Sequence, residues 1–436
     1  MIPKELEHGK KRSPKDFTRD RSVPFQVLIT FILSLVASGK SSGVDTKSGM
    51  FFKNARRNGL LPDAAAVHRS SISKARKKLP WQVFEDLSNK AASLAYDVLP
   101  QDPKYLWHGM SVYAFDGSKY DLPATEQIRK EFDSKSGLNH SGKGHYPQCL
   151  VSTAYDVFRR LPVGRTVSSI ANGNEREDAK TLINRHIPPG NILCFDRGYP
   201  SYEFILWLQS FYDGHFLFRC PGSNTFPAVE EFLESEEQEA IIKIEPSKKY
   251  SQKLPIDQRS VLQSVKVRAV RMESPDGTIS VLLTSLSDVT KINWEELVDL
   301  YFRRWEVEVY YRDEKTFLEI EKFHSRTPDG IRQELYAIMV MALISRMLMF
   351  IADETADGKK WESEPQFKNA IMTIASDMAV FVSKDPLLTV EIFEEILTEI
   401  RRVRYYRAKK PRPSQPRVCK RPLNKWAEAK IKNLTI

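Results

Sequence analysis

Residues 301–315 read YFRRWEVEVYYRDEK, and the architecture turns on how this stretch is placed. Tyr301, Arg304, Glu308 and Lys315 stand three, four and seven residues apart, the spacing at which a helix repeats one face. Val298, Phe302, Trp305 and Val309 repeat at a similar period and supply the apolar stripe of a core-facing helix. The expectation is one helix with an anchoring stripe through Phe302, Trp305 and Val309 and a polar line about 100° of rotation away. The plainer reading of Arg304 and Glu308 is an exposed i,i+4 ion pair, which contributes about 0.3–0.5 kcal/mol. That pair leaves Tyr301 and Lys315 without a reason. Glu306 and Glu314 read as surface acids.

Two other carboxylates stand out. Asp116 ends the apolar run Val112 to Phe115 and precedes Gly117-Ser118, and Asp196 ends NILCF and precedes Arg197-Gly198. An Asp-Gly after a strand is by itself a turn signal. Two carboxylates at the carboxyl ends of buried strands, each near a glycine that admits close approach, suit a ligand crevice at the sheet edge. A helix packed on that sheet brings Glu308 to Asp116 and Asp196. Three carboxylates in one cleft repel unless cations bind there. Oxygen ligands favour Mg²⁺ or Mn²⁺, and two such ions serve phosphoryl transfer.

The remainder of the chain gives these motifs a setting. It has 436 residues, a formal net charge of +10 and 41% apolar residues, so the charge belongs to a globular chain and points to a polyanionic partner. Basic residues cluster at Lys10 to Arg12, Arg56-Arg57, Lys74, Arg76 and Lys77, and from Arg401 to Arg421, a distribution suited to clamping DNA. Cys149, Cys194, Cys220 and Cys419 are scattered without zinc-ligand spacing, which reads as a reduced cytoplasmic protein without structural zinc. The apolar runs Val27–Ala37 and Leu335–Ala352 read as core helices; the leader of the first is long and carries acids, and the second contains Ser345 and Arg346. No membrane span is expected.

Hydrophobic periodicity divides the chain into helical residues 1–105, with a Ser/Gly/Lys loop at 40–49, and a strand-rich core over 106–221. A β-rich insertion follows at 222–290, its last two strands joined through Pro275-Asp276-Gly277. The core resumes over 291–352, and a helical region with a Pro-rich basic tail occupies 353–436. The predicted class is α/β, with a mixed-sheet core, an all-α N-terminal domain, a β-rich insertion and a helical C-terminal region.

The pattern Y-x2-R-x3-E-x6-K at Tyr301, Arg304, Glu308 and Lys315, FDGS at Asp116, FDRGY at Asp196 and NEREDAKTLI before the second Asp resemble the DDE transposases of bacterial insertion sequences, in particular the insertion-sequence-four group. The resemblance spans about residues 20–425. It implies a ribonuclease-H-like core with Asp116, Asp196 and Glu308 holding two Mg²⁺ or Mn²⁺ ions, and Tyr301, Arg304 and Lys315 on DNA phosphate. Arg197 and Arg176 are further candidate phosphate contacts. It also implies double-stranded DNA partners (inverted-repeat ends and target), a homodimeric synaptic complex and a nucleoid location in a bacterial cytoplasm. Members often use an aromatic in the insertion to stack on a flipped base; at that position this chain has Ser280, with Trp294 further on. The competing functions are an inactive or domesticated DNA-binding relative and a metal-dependent nuclease of the same fold.

Overall fold

The computed structural model describes residues 12–13, 15–17, 23–37, 39, 42–100, 102–134, 146–253, 255, 263–274, 277–355 and 363–406. Lys10, Lys11, Pro275, Asp276, Cys419 and the basic tail from residue 407 lie outside them. Four helices come first: α1 (Phe25–Ala37), α2 (Val44–Arg57), α3 (Arg69–Arg76) and α4 (Gln82–Val98). Almost all of α1 is buried, so the first apolar run is a core helix as expected. Its polar side chains bond to backbone, Ser34 donating to the Ala375 carbonyl at 2.6 Å and Thr30 to that of Gln26 at 2.8 Å. The Ser/Gly/Lys loop is shorter than expected: α2 starts at Val44, with Asp45 in its first turn where the helix dipole favours an acid.

A single mixed sheet forms the centre. β1 (Val112–Asp121), β2 (Gln148–Asp156) and β3 (Leu161–Ser169) make an antiparallel meander, and β4 (Ile192–Phe195) and β5 (His215–Pro221) join in parallel on the other side of β1. β6 (Glu239–Ile244), β7 (Val265–Glu273) and β8 (Ile279–Thr284) come from the β-rich insertion. They extend the same sheet, in the order β3-β2-β1-β4-β5-β8-β7-β6. Antiparallel pairing of β8 with β5 covers what would otherwise be an open strand edge.

Both faces of the sheet are covered, which explains the nearly continuous apolar runs in β1 and β4. Val112, Ala114, Ile192 and Cys194 enter one core cluster, and Tyr113, Phe115, Leu193 and Phe195 the other. The remaining helices are α5 (Glu126–Phe132), α6 (Glu175–His186), α7 (Tyr202–Phe211), α8 (Pro227–Glu234), α9 (Lys248–Lys253), α10 (Trp294–Arg303), α11 (Glu306–Thr316), α12 (Pro328–Glu354), α13 (Phe367–Ser376) and α14 (Pro386–Arg402). By length and composition α12 could cross a bilayer, yet 78% of its most apolar window is buried inside the protein. It packs against β3, α1, α4, α13 and α14.

The opening stretch departs from expectation in two ways. It is two helices, broken at Arg304-Trp305 between α10 and α11. The faces are also reversed: Phe302 and Trp305 are 46% and 54% exposed, whereas Tyr301 and Arg304 are each 4% exposed. The buried set is Leu297, Leu300, Tyr301, Arg304, Val307, Tyr310, Tyr311 and Glu314.

Polar groups on the sheet select that face. The Tyr311 hydroxyl donates to the carbonyls of Asp116 (2.8 Å) and Val151 (3.0 Å), and the Tyr310 ring stacks on Tyr155 with centroids 5.3 Å apart. Glu314 is fully buried rather than a surface acid. It accepts from Arg165 of β3 at 2.7 Å and from the Tyr120 hydroxyl of β1. Arg165 also donates to the Leu335 carbonyl of α12 at 2.6 Å and to the Tyr310 hydroxyl at 3.2 Å. One ion pair thus ties β1, β3, α11 and α12 together.

Removing one partner of such a pair strands the other charge in the interior. Arg165→Ala or Glu314→Ala should each cost about 3–5 kcal/mol in denaturant unfolding, while Arg165→Met combined with Glu314→Leu should recover most of that loss. Single variants as stable as the parent would show that the pair is not a buried charge contact.

Candidate active site

Asp116 and Asp196 are set side by side by strand pairing. β1 and β4 run parallel with Phe115 opposite Phe195, so the next residue of each chain, the aspartate, emerges at the same level on neighbouring strands about 4.8 Å apart. The two phenylalanine rings stack beneath them with centroids 4.9 Å apart. The Gly198 N–H donates to Asp196 Oδ1 at 2.8 Å, fixing the carboxylate against its own turn.

α11 lies over this edge because Tyr311 is bonded to the backbone of Asp116 itself. One turn earlier, Glu308 accepts from Arg304 Nη2 at 2.7 Å. The field at Asp116 records the assembly: burial pushes its carboxyl up to about 7, Arg304 opposes the rise, and Glu308, Asp196 and Glu175 add to it. Glu175 at the start of α6 is itself shifted upward, by burial and then by Asp196. The cleft therefore holds four carboxylates against one buried guanidinium.

The signature residues occupy distinct places around it. Tyr301 has a buried hydroxyl without a hydrogen-bond partner, within electrostatic reach of Arg304, Arg219 and Asp196. Arg304 lies 5.5 Å from the Tyr301 ring centroid, and its Nε and Nη1 are buried without partners. Lys315 is fastened further along β1, donating to Ser118 Oγ at 2.8 Å and the Lys119 carbonyl at 2.6 Å, with Nζ 4.5 Å from the Tyr120 ring centroid.

The remaining candidates separate. Arg197 is exposed and, with Arg219, Arg271 and Ser280, lines a cavity of about 530 Å³ beside the Asp196 turn. Arg176 is instead committed to backbone, donating to the carbonyls of Tyr199 (2.8 Å), Gly198 (2.9 Å) and Pro200 (3.4 Å). Arg76 is buried where α3 docks on α12, bonded at 3.0 Å to each of Gln333, Glu334 and the Gly330 carbonyl. It holds two helices together rather than facing outward, while Lys74 on the same helix and Lys77 just after its end are exposed. Ser280 is buried with an unpartnered hydroxyl, and Trp294 packs against the core as the first residue of α10.

Sequence reasoning missed Glu175. The signal was present in NERED, but three acids share that first turn and the helix dipole accounts for acids there in general. Only the fold separates them.

These motifs sit within residues 107–344, which match the family described as the Transposase DDE domain. The chain is 22% identical over 357 residues to Transposase InsG for insertion sequence element IS4 of Escherichia coli (strain K12), covering 81% of this chain and 75% of that protein. A cryo-EM structure of a piggyBac transposase synaptic complex with hairpin DNA aligns over 94% of this chain and 82% of its own, at 11% identity and a TM-score of 0.44. The chain belongs to the DDE transposases, in the insertion-sequence-four family, and is thus a DNA-cleaving transposase.

The family depends on divalent metal, and the residues fit that need. The donors are all carboxylate oxygens, which suit a hard cation, and the like charge crowded on Asp116 is what a cation relieves. Among the described residues no three His, Cys, Asp or Glu side chains converge into a finished ligand set, Glu308 being held by Arg304.

A carboxyl held near 7 keeps its proton more tightly in the fold than in the unfolded chain, whose ordinary value is 3.8. Ionising it therefore opposes folding, and the metal-free chain loses stability as pH rises from about 4 to about 7. Asp116→Asn removes this penalty, so its gain in metal-free Tm should grow between about pH 5 and pH 8. A gain of equal size at both would show that Asp116 ionises freely.

Proposed function

We propose that the chain binds the terminal inverted repeats of an insertion sequence and carries out cut-and-paste cleavage and strand transfer. The observation that carries this is the placement of Asp116 and Asp196 on adjacent parallel strands, with Glu308 on the helix bonded over them and within electrostatic reach of Asp116. Asp116, Asp196 and Glu308 would hold Mg²⁺ or Mn²⁺, two ions per site. The chemistry those cations supply is stabilisation of the charge that develops on the phosphate and on the attacking and leaving oxygens.

The chain's own residues bind and orient the DNA. Arg304 offers two buried N–H groups and Tyr301 a hydroxyl, all without protein partners, and a planar guanidinium suits a phosphate. Lys315, pinned beside Ser118, places a point charge further along β1. Water attack at the transposon end frees a 3′-hydroxyl, which then attacks target DNA. The ribonuclease-H-like reading of the core rests on its strand order, an antiparallel meander followed by two parallel strands.

In the same reading residues 1–105 bind DNA, 106–221 and 291–352 are the two parts of the catalytic core, and 222–290 widens its sheet. Residues 353–436 add the helical C-terminal region and tail. The working assembly is a homodimer on nucleoid DNA in the cytoplasm.

A strand-transfer assay with labelled ends and Mg²⁺ tests this. Joined product from the parent that disappears in Glu308→Ala, with end binding retained, is the expected result. Binding without any cleavage in the parent would mark a DNA-binding relative, and nicked ends that never join would mark a nuclease. Lys315→Ala should weaken end binding or cleavage without unfolding the chain, and full activity in that variant would remove its assigned role.

A further inference from the structure

We propose that Glu175 is a fourth carboxylate of the cation-binding centre, sharing it with Asp116 and Asp196; this rests on reading Asp116, Asp196 and Glu308 as that centre. The space it occupies is shaped by two glycines. A Cβ placed on Gly117 would lie 2.5 Å from Glu175 Oε1 and 2.8 Å from its Cδ, and one on Gly198 would lie 3.2 Å from Asp196 Oδ1 and 3.9 Å from Glu175 Oε2. Glu175 therefore lies against the first Asp motif, where a side chain at Gly117 would displace it, and within contact distance of the turn after Asp196.

Its neighbours in the first turn of α6 show that this direction is particular to Glu175. Glu177 pairs with Lys180 at 2.7 Å, and Asp178 accepts from the hydroxyls of Ser152 at 2.8 Å and Ser168 at 3.0 Å. The Glu175 carboxylate takes no hydrogen bond from the described residues. Arg176 clamps the carbonyls of residues 198–200, so the turn after Asp196 and the start of α6 are held together.

A second observation points to a ligand in the same space. Tyr301 and Arg304 are both more than nine-tenths buried and keep polar atoms without partners. Those groups lie within electrostatic reach of Asp196 and Asp116 respectively. Carboxylates on one side and unpartnered donors on the other are what a divalent cation bound with a phosphate would use.

The test is Mn²⁺ binding to the full chain without DNA, read by electron paramagnetic resonance, together with Tm in EDTA and in Mn²⁺. Glu175→Gln should weaken Mn²⁺ binding by about tenfold or more, as Asp196→Asn should. It should also shrink the rise in Tm produced by Mn²⁺ without lowering Tm in EDTA, since it removes repulsion from the metal-free cleft. Glu175→Asp, which keeps the charge, should recover part of the affinity. If Glu175→Gln binds Mn²⁺ like the parent while Asp196→Asn does not, Glu175 is no ligand and the three-residue centre stands. If parent and Asp196→Asn bind alike, the centre itself is misread and this proposal falls with it. A lower Tm in EDTA with unchanged Mn²⁺ binding would leave Glu175 only a helix-stabilising role.

Discussion

Glu314 is fully buried beside Arg165, and that pair decides which way α11 faces. An unpaired carboxylate at this depth would be severely destabilising, so α11 must present Glu314 to Arg165 and to the Tyr120 hydroxyl. Once that turn is fixed, helical geometry carries Tyr311 onto the backbone of Asp116 and Glu308 to the cleft above it. Arg165 reaches α12 as well, and so the longest helix and the sheet edge that carries Asp116 share one anchor. The position of the third acid is a consequence of a charge pair that touches no substrate.

The cleft itself concentrates like charge. Burial lifts Asp116 to about 7, with Glu308, Asp196 and Glu175 adding to the rise, and the opposing cation nearest to hand is Arg304, already bonded to Glu308. This arrangement costs stability in the metal-free chain, and the fold tolerates it because packing beneath is independent of it. Phe115, Phe195 and Phe218 stack in succession under the edge, and the sheet is covered on both faces. Strained electrostatics on a rigid base is how a site stays ready for a cation and an anion at once.

Much of this was legible in the sequence for definite reasons. Asp116 and Asp196 follow short apolar runs of the kind a strand buried on both faces carries, and a glycine lies one residue after the first and two after the second. The apolar runs of α1 and α12 carry few charges, so their burial followed. The reversal of 301–315 was not legible, because periodicity identifies faces without saying which one meets the core. Apolar residues are only preferentially inside; here Phe302 and Trp305 are outside, and a tyrosine-rich face with a glutamate is inside because the sheet offers Arg165 and open carbonyls. Those partners lie 145 and more residues away in sequence, as with Arg165 and Tyr310. Arg76 escaped for the same reason, its partners Gln333 and Glu334 being distant in the chain.

The break at Arg304-Trp305 has a further consequence for the site. In a continuous helix Tyr301, Arg304 and Glu308 would follow one another along a single axis, and their side chains would point in nearly the same direction. Ending α10 at Arg303 and starting α11 at Glu306 lets the two segments take separate partners. Tyr301 is set by the packing of Leu297 and Leu300, and Glu308 by Tyr311 and Glu314. Arg304 sits at the junction, bonded to Glu308 through one nitrogen and leaving two others unpaired. A guanidinium placed there can hold the glutamate while still presenting donors to an incoming phosphate.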